Sequence, residues 1–398
     1  MSRVLIVGGS LGGLMAANVL LRAGFDVTVL EKATSSLDGR GAGIVTHRPL
    51  LDALALCGVP TDASLGVAID QRVTLGQQGQ TIAQTHMPQV LTSWSRLYAL
   101  LLEALPAGIY VRGAALASFT QDDQGVQVVC EDGRTFEADV LIASDGIRSV
   151  VRAAVAPEVK AQYAGYVAWR GVCDEAVLSQ HTLKTVFETF GFGLPPGEQI
   201  IGYPVAGSEN SVTPGRRRYN FVWYRPAPDG QALQSLMTDA DGVHHPLGLP
   251  PNKVSWRHLA DARLAAREKL APQFAEIMEK TAQPFLQPIY DCYSTRLAFG
   301  RVALMGDAAF VARPHVGMGV TKAAQDAVAL CDALKQHGTQ PAALNAYESQ
   351  RLMDGQAVVE RGRRLGAYMQ ATASGHEALR DAKAVMEQTA IDLSTKPN

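Results

Sequence analysis

Val4-Leu5-Ile6-Val7-Gly8-Gly9-Ser10-Leu11-Gly12-Gly13 is an apolar strand running into a glycine-rich turn. An apolar helix follows to Ala23-Gly24, and a second apolar strand, Val27-Thr28-Val29-Leu30, ends on Glu31. Strand, turn, helix and strand in that order make a βαβ unit, and an acid about eighteen residues after the last glycine marks it as dinucleotide-binding. Gly8 permits the tight turn, and Gly13 lets the helix pack close to the strand. The helix start at Ser10, Leu11 and Gly12 offers free N–H groups to a pyrophosphate. Glu31, followed by Lys32, is placed to accept hydrogen bonds from a ribose. Ser10 stands where such turns usually carry a second glycine, and it is still small. A turn that merely packs a βα unit is the plain alternative.

Around this unit, 398 residues exceed one compact core and call for two domains or one with a large insertion. The formal net charge of -2 gives no electrostatic reason to expect nucleic acid or an anionic membrane as a partner. No stretch has the length and apolarity of a membrane span, and the chain enters its first strand by Val4, so a cytoplasmic location is expected. Cys57, Cys130, Cys173, Cys292 and Cys331 are odd in number and scattered, which fits buried thiols and neither a disulfide framework nor a zinc site. No metal is expected, since adjacent His244-His245 lack further ligands and read as a solvated loop.

Beyond Glu31, a Gly39-Arg40-Gly41-Ala42-Gly43-Ile44 loop can bring backbone against a ligand. A helix is predicted from Pro49 to Gly58, a hairpin from Val67 to Gln84, and a helix from Ser95 to about Leu105. Val126–Cys130, the Asp132-Gly133 turn and Val140–Ala143 read as a meander returning to the nucleotide-binding sheet. Between about Val167 and Tyr290 aromatics and short alternating strands replace the βα pattern, predicting an antiparallel sheet with helices such as Asp261–Ala271. The first pattern resumes at Leu297, two helices follow at Val320–Lys335 and Ala342 to about Met369, and the end after Leu393 should fray. Arg216-Arg217-Arg218 reads as a turn open to water, with attraction of nucleotide phosphates as the other reading.

Two more strand ends complete the pattern: Val140-Leu141-Ile142-Ala143-Ser144-Asp145-Gly146 and Val302-Ala303-Leu304-Met305-Gly306-Asp307. In this order the motifs resemble those of the single-component (class A) FAD-dependent aromatic hydroxylases with the fold of p-hydroxybenzoate hydroxylase. The resemblance runs from Val4 to about Leu365. It implies an α/β fold: a Rossmann-like, glutathione-reductase-type FAD-binding domain with an inserted antiparallel-sheet substrate domain and C-terminal helices. The expected FAD-binding parts are residues 1–72, 92–166 and 291–398, with the substrate sheet at 73–91 and 167–290. By the same resemblance Gly8, Gly13 and Glu31 hold the ADP half of a non-covalent FAD, Arg40 lies near its pyrophosphate, and Arg96 meets the linking chain. Asp145 and Gly146 match a motif tied to both FAD and NAD(P)H, and Asp307, after Gly306, matches the aspartate of the ribityl hydroxyls.

Pro314-His315-Val316-Gly317-Met318-Gly319-Val320 is a proline-glycine loop entering a helix, whose N–H groups and dipole suit the negative charge of a reduced flavin. Tyr163–Val172 and the Arg313-Pro314-His315 loop look most like hydroxylases of N-heteroaromatic rings of the 2,6-dihydroxypyridine 3-hydroxylase type. The implied reaction has NADH or NADPH reduce FAD, after which O2 forms a flavin C4a-hydroperoxide that hydroxylates a small, electron-rich, hydroxypyridine-like ring. Removing the ring hydroxyl's proton calls for a base or relay, and His315, beside the flavin by its motif, and His47, beyond the Gly43-Ile44 loop, are the candidates. Tyr203 and Tyr224 are candidate partners of a ring hydroxyl or nitrogen, Trp169 and Trp223 candidate walls, and Pro314 and His315 border the same space. Another phenolic, quinolone, purine or salicylate-like substrate, or a redox-gated flavoprotein without catalysis, stays open. A homodimer is common in the family.

Overall fold

The computed structural model describes residues 2–37, 43–246, 248–370 and 380–392. The opening strand, Arg3–Val7, lies between two parallel neighbours, Asp26–Glu31 on one side and Val140–Ala143 on the other. Val302–Leu304 extends the sheet beyond Val140–Ala143, Tyr110–Arg112 extends it beyond Asp26–Glu31, and only the edge strand Ala298–Phe299 runs antiparallel. Strands buried on both faces read as continuous apolar runs, which is why Val4–Val7 and Val140–Ala143 carry no alternation.

Helix Leu11–Arg22 packs between this sheet and helix Gly319–His337 through small side chains, Ala16, Ala17, Ala324 and Ala327, all fully buried. Asn18 is the polar exception on that helix. Its Nδ2 donates to the carbonyls of Leu14 at 3.0 Å and Leu101 at 2.9 Å, joining the helix to Trp94–Glu103.

The second layer is a nine-stranded sheet ordered 310–311, 285–293, 162–174, 218–226, 199–205, 190–193, 67–75, 81–93, 43–45. It is antiparallel except where Phe190–Gly193 meets Val67–Leu75. Side chains alternate across it. Val167, Trp169, Phe221, Trp223 and Leu286 face helices Trp256–Lys269 and Pro272–Lys280. Tyr166, Ala168, Phe190, Ile201, Tyr203, Val222, Tyr224 and Ile289 face the other way, toward the nucleotide-binding layer.

The expected elements appear with shifted ends: Arg48–Leu56, Val67–Leu75 with Thr81–Ser93, Trp94–Glu103, Trp256–Lys269, and Pro341–Gly366 continued to Met369 by a short 3-10 turn. The meander separates into Leu116–Gln121, Val126–Cys130 and Thr135–Ala138, a sheet of its own, and only Val140–Ala143 joins the nucleotide-binding sheet. The expected divides near residues 72, 91, 166 and 290 all fall inside strands of the large sheet. The frayed end expected after Leu393 lies outside the described residues, and no described helix is long and apolar enough to cross a membrane.

Sequence reading missed helix Ala382–Gln388, which lies on the cleft side of the large sheet with Met386 and Ala390 in its core. Arg72, fully buried in Val67–Leu75, holds it there. The guanidinium lies 4.8 Å from the Phe190 ring centre and donates to the carbonyls of Met386 at 2.5 Å, Thr389 at 2.5 Å and Ala390 at 3.0 Å, and to Gln89 Oε1. Burial lowers its pKa only to about 10, so it stays charged at neutral pH. Arg72→Met keeps the stem and orphans these carbonyls, so it should cost about 3 kcal/mol and expose 380–392 to protease. Denaturant midpoints and limited proteolysis of the full chain check this, and a midpoint equal to wild type would refute the clamp.

Candidate active site

A cleft of about 370 Å³ separates the two layers. Its nucleotide end is built on close approach. Gly8 has φ +104, and a Cβ there would lie 2.3 Å from Ser144 O; a Cβ on Gly13 would lie 1.9 Å from Gly8 O. The contact sets the start of helix Leu11–Arg22 against the end of Val140–Ala143. Ser10, Leu11 and Gly12 line the cleft, and the Ser10 side chain makes no capping hydrogen bond. Across the cleft Gly319 and Val320 begin helix Gly319–His337, which also lacks a side-chain cap. Two positive helix ends thus open onto one space.

Glu31 closes the turn itself: Oε2 accepts from Gly9 N at 2.9 Å and Oε1 from Ala33 N at 2.8 Å. Each oxygen keeps a lone pair for a ribose. Beside it Tyr110, unnoticed in the sequence, donates to Gly9 O at 3.0 Å. Lys32 is exposed, and Arg40 lies outside the described residues. Arg96 follows the N-cap Ser93, whose Oγ accepts its N–H at 3.1 Å; its Nη2 is 3.4 Å from Ser64 Oγ, and its buried Nε has no partner among the described residues.

The two strand-end motifs are stitched together by buried cations. Arg152 donates to Ile147 O and, at 2.8 Å, to Ala308 O, linking the Asp145-Gly146 loop to the Gly306-Asp307 turn. Under that turn Asp326 Oδ2 accepts from Gly306 N at 3.0 Å, Lys322 Nζ donates to Gly306 O at 2.7 Å, and Arg351 Nε donates to Asp326 Oδ1 at 2.9 Å. Asp307 is left open to the cleft, with its carboxyl raised above its ordinary pKa by burial around it. Asp145 Oδ2 accepts from Val150 N at 2.8 Å, while its buried Oδ1 has no partner among the described residues. Uncapped helix ends for a pyrophosphate, a free carboxylate for ribityl hydroxyls and an orphaned acceptor beside Gly146 form a donor set that fits FAD.

At the other end the outcome differs from expectation. Tyr203 and Tyr224 line the cleft with Gly43, Ile44 and Pro314. Burial pushes the Tyr203 hydroxyl up to about 12 and raises Tyr224 as well, and the Tyr224 oxygen has no partner among the described residues. Asn220 Oδ1 accepts from Gly43 N at 3.0 Å and so holds the start of strand Gly43–Val45 beside Tyr203. His315 does not reach the cleft. Its ring is fully buried behind Tyr224, at 4.0 Å between centres, with Nε2 2.8 Å from Tyr166 Oη. His47 is also behind the wall, Nδ1 2.9 Å from Thr321 Oγ1. Burial lowers both imidazole pKa values, His315's well below the ordinary value, so both are neutral at pH 7.

Trp169 and Trp223 are cross-strand partners on the helix-covered face and wall no part of the cleft. Strand alternation demands this, because Tyr224 faces the cleft and its neighbour must face away. The same parity brings Arg170, one residue after Trp169, into the cleft with Gln287, whose Oε1 accepts from Nη1 at 2.9 Å. Met318 is buried beneath the loop while Gly317 lines the cleft. Arg217, expected in water, is buried and paired with Glu175 at 2.8 Å, so it cannot attract a nucleotide phosphate. His245 meets Asp239 at 2.8 Å, and no metal-binding cluster occurs among the described residues.

Comparison with known proteins agrees with this construction. The family model described as "FAD binding domain" matches residues 1–224 and 249–362, and a second, "FAD binding domain-like", matches 163–291. The chain is 31% identical over 368 residues to the 2,6-dihydroxypyridine 3-monooxygenase of Paenarthrobacter nicotinovorans, covering 92% of this chain and 91% of that protein. It is 30% identical to the aurachin C monooxygenase/isomerase of Stigmatella aurantiaca, covering 88% and 85%. The solved 2,6-dihydroxypyridine-3-hydroxylase from Arthrobacter nicotinovorans superposes with a TM-score of 0.91 at 29% identity, over 100% of this chain and 98% of that one.

Two outcomes are expected from this geometry. Arg152→Met should loosen both motif turns and raise the FAD dissociation constant at least about tenfold, read from the flavin-to-protein absorbance ratio and by titration of the apoprotein; full flavination at wild-type affinity would oppose it. His315, neutral when folded, gains a proton on unfolding below its ordinary pKa of 6.5. Its contribution is therefore complete above that pH and is lost as pH falls, at a slope that approaches about 1.4 kcal/mol per unit well below it. His315→Phe should remove about 1 kcal/mol of the pH dependence between pH 6.5 and 5.5 in denaturation of the holoprotein, and an unchanged slope would show that the imidazole is not buried neutral.

Proposed function

The chain belongs to the FAD-binding flavoprotein family and is an FAD-dependent aromatic-ring monooxygenase using NAD(P)H and O2, and from that premise we propose that its substrate is a small hydroxylated N-heteroaromatic ring of hydroxypyridine type. When bound and reduced, FAD supplies the activated oxygen. The chain's residues bind, orient and exclude water. Of the residues that line the cleft, Ser10, Leu11 and Gly12 would hold the pyrophosphate, Asp307 the ribityl chain, and Pro314, Gly317, Gly319 and Val320 the isoalloxazine. Held so, the flavin would occupy one end of the cleft.

The observation that carries the substrate reading is the composition of the opposite wall. Ile201, Val222 and Ile289 supply an apolar surface, and Tyr203, Tyr224, Gln287 and Arg170 place polar groups around its edge. Few convergent polar groups on an apolar wall suit a small flat ring with hydroxyl and ring-nitrogen positions. The relative of P. nicotinovorans, named for 2,6-dihydroxypyridine, supports the same substrate class. All five cysteines are buried and unpaired, which fits a reducing compartment such as the cytoplasm.

Purified holoprotein should oxidise NADH or NADPH faster, with matching O2 uptake and a product one oxygen atom heavier, when given 2,6-dihydroxypyridine. A quinolone, urate and salicylate complete the panel. Stimulation by one of these three with none by the hydroxypyridine would reassign the substrate.

A further inference from the structure

We propose that Arg170 is the anchor of a ring oxyanion: the cleft admits its hydroxylated aromatic substrate already ionised and holds it by charge. This rests on the aromatic-hydroxylase reading above and adds the form in which the ring binds. Arg170 stands on Gln162–Asp174, opposite Val222 of the neighbouring strand, on the face that carries Tyr203 and Tyr224. Among the described residues no carboxylate lies within ion-pair distance of it, and its buried Nε makes no hydrogen bond. The other cationic side chain that lines the cleft among the described residues, Arg313, is paired with Asp291 at 2.9 Å, a carboxylate it shares with Arg363. A cation inside a cleft without a counter-ion is costly until an anion arrives.

Gln287 fixes the orientation. By accepting from Nη1 it leaves the Nε–Nη2 edge, two parallel N–H bonds suited to one oxyanion or to a pair of ring acceptors. The unpartnered Tyr224 hydroxyl stands on the same wall as a further donor. Among the described residues no histidine lines this wall, so none of them there is suited to take a ring proton near neutral pH. The proton therefore stays in solvent, and no group of the chain need change its charge on binding. The groups facing Arg170 from the packed strands are Val222 and Tyr224, Phe285 and Gln287, and Tyr203, with Tyr290 on the cleft wall nearby. The three tyrosines are all raised above their ordinary pKa by burial, so none titrates between pH 5 and 9. A pH dependence of binding in that range that Arg170→Met removes belongs to the ligand's charge.

The test uses oxidised holoenzyme without reductant, reading dissociation constants from the perturbed flavin absorbance. In wild type the affinity for 2,6-dihydroxypyridine should rise about tenfold per pH unit below the ligand's ionisation and level off above it. Arg170→Met should bind that ligand about 10- to 100-fold more weakly with the pH slope gone. Its affinity for uncharged 2,6-dimethoxypyridine and its FAD content should be unchanged, and Arg170→Lys should recover part of the loss. A variant with wild-type affinity and slope, or one that loses both ligands equally, would overturn the proposal. Benzoate against benzamide separates it from the substrate reading. If wild type ignores hydroxypyridine yet prefers benzoate, and Arg170→Met abolishes that preference, the anchor stands and the substrate reading falls; no such preference in wild type, with hydroxypyridine also unbound, sinks the anchor.

Discussion

The approach of helix Leu11–Arg22 to the Gly8 turn is the constraint on which the rest depends. With Gly13 so close to the Gly8 carbonyl, and Gly8 itself against Ser144, any larger side chain would push apart the helix and two strand ends. Their junction aims the uncapped helix start at the cleft. It also brings the Asp145-Gly146 loop against the nucleotide turn, although that loop arrives more than a hundred residues later. Helix Gly319–His337, packed on the same helix through alanines, then adds its own positive end to the same space.

Buried charge organises the remainder. Among the described residues the Arg152 side chain bonds only to carbonyls, and Asp326 and Lys322 hold the N–H and the carbonyl of Gly306, with Arg351 on the other oxygen of Asp326, so the turn that presents Asp307 is held from within. Arg72 does the same for residues 386–390, which brings Ala390 to the cleft wall. Such groups are expensive to bury and useful for that reason, since any rearrangement would strand them. Arg170 differs in one respect. Its charge is left uncompensated beside an open cleft.

That difference bears on how a ring could be activated here. Histidine chemistry was the natural expectation from a motif that ends Arg313-Pro314-His315, because imidazole titrates near neutrality. The fold spends both histidines on the interior, where desolvation keeps them neutral and tyrosine or threonine hydroxyls satisfy one nitrogen each. What remains on the wall is a fixed positive charge, amide and phenol donors, and aliphatic surface. These suit orientation of an electron-rich ring.

The nucleotide end was legible in the residues themselves. Gly8, Gly13, Glu31, Asp145 and Asp307 are readable because their work is done by backbone freedom, small size or a single charge at a strand end, properties local to a few residues. The sequence also marked where aromatics replace the βα pattern and hence where a second sheet lies. Which side of that sheet each residue faces was decided only by tertiary structure. A strand presents alternate residues to opposite faces, so one position of parity exchanges Trp169 and Trp223 for Arg170 and Tyr224 as the cleft wall, and sequence contains the alternation without saying which face meets the flavin. The clamp of Arg72 on residues 386–390 was equally hidden, because the partners of a buried arginine lie on carbonyls about three hundred residues away and leave no side-chain signature.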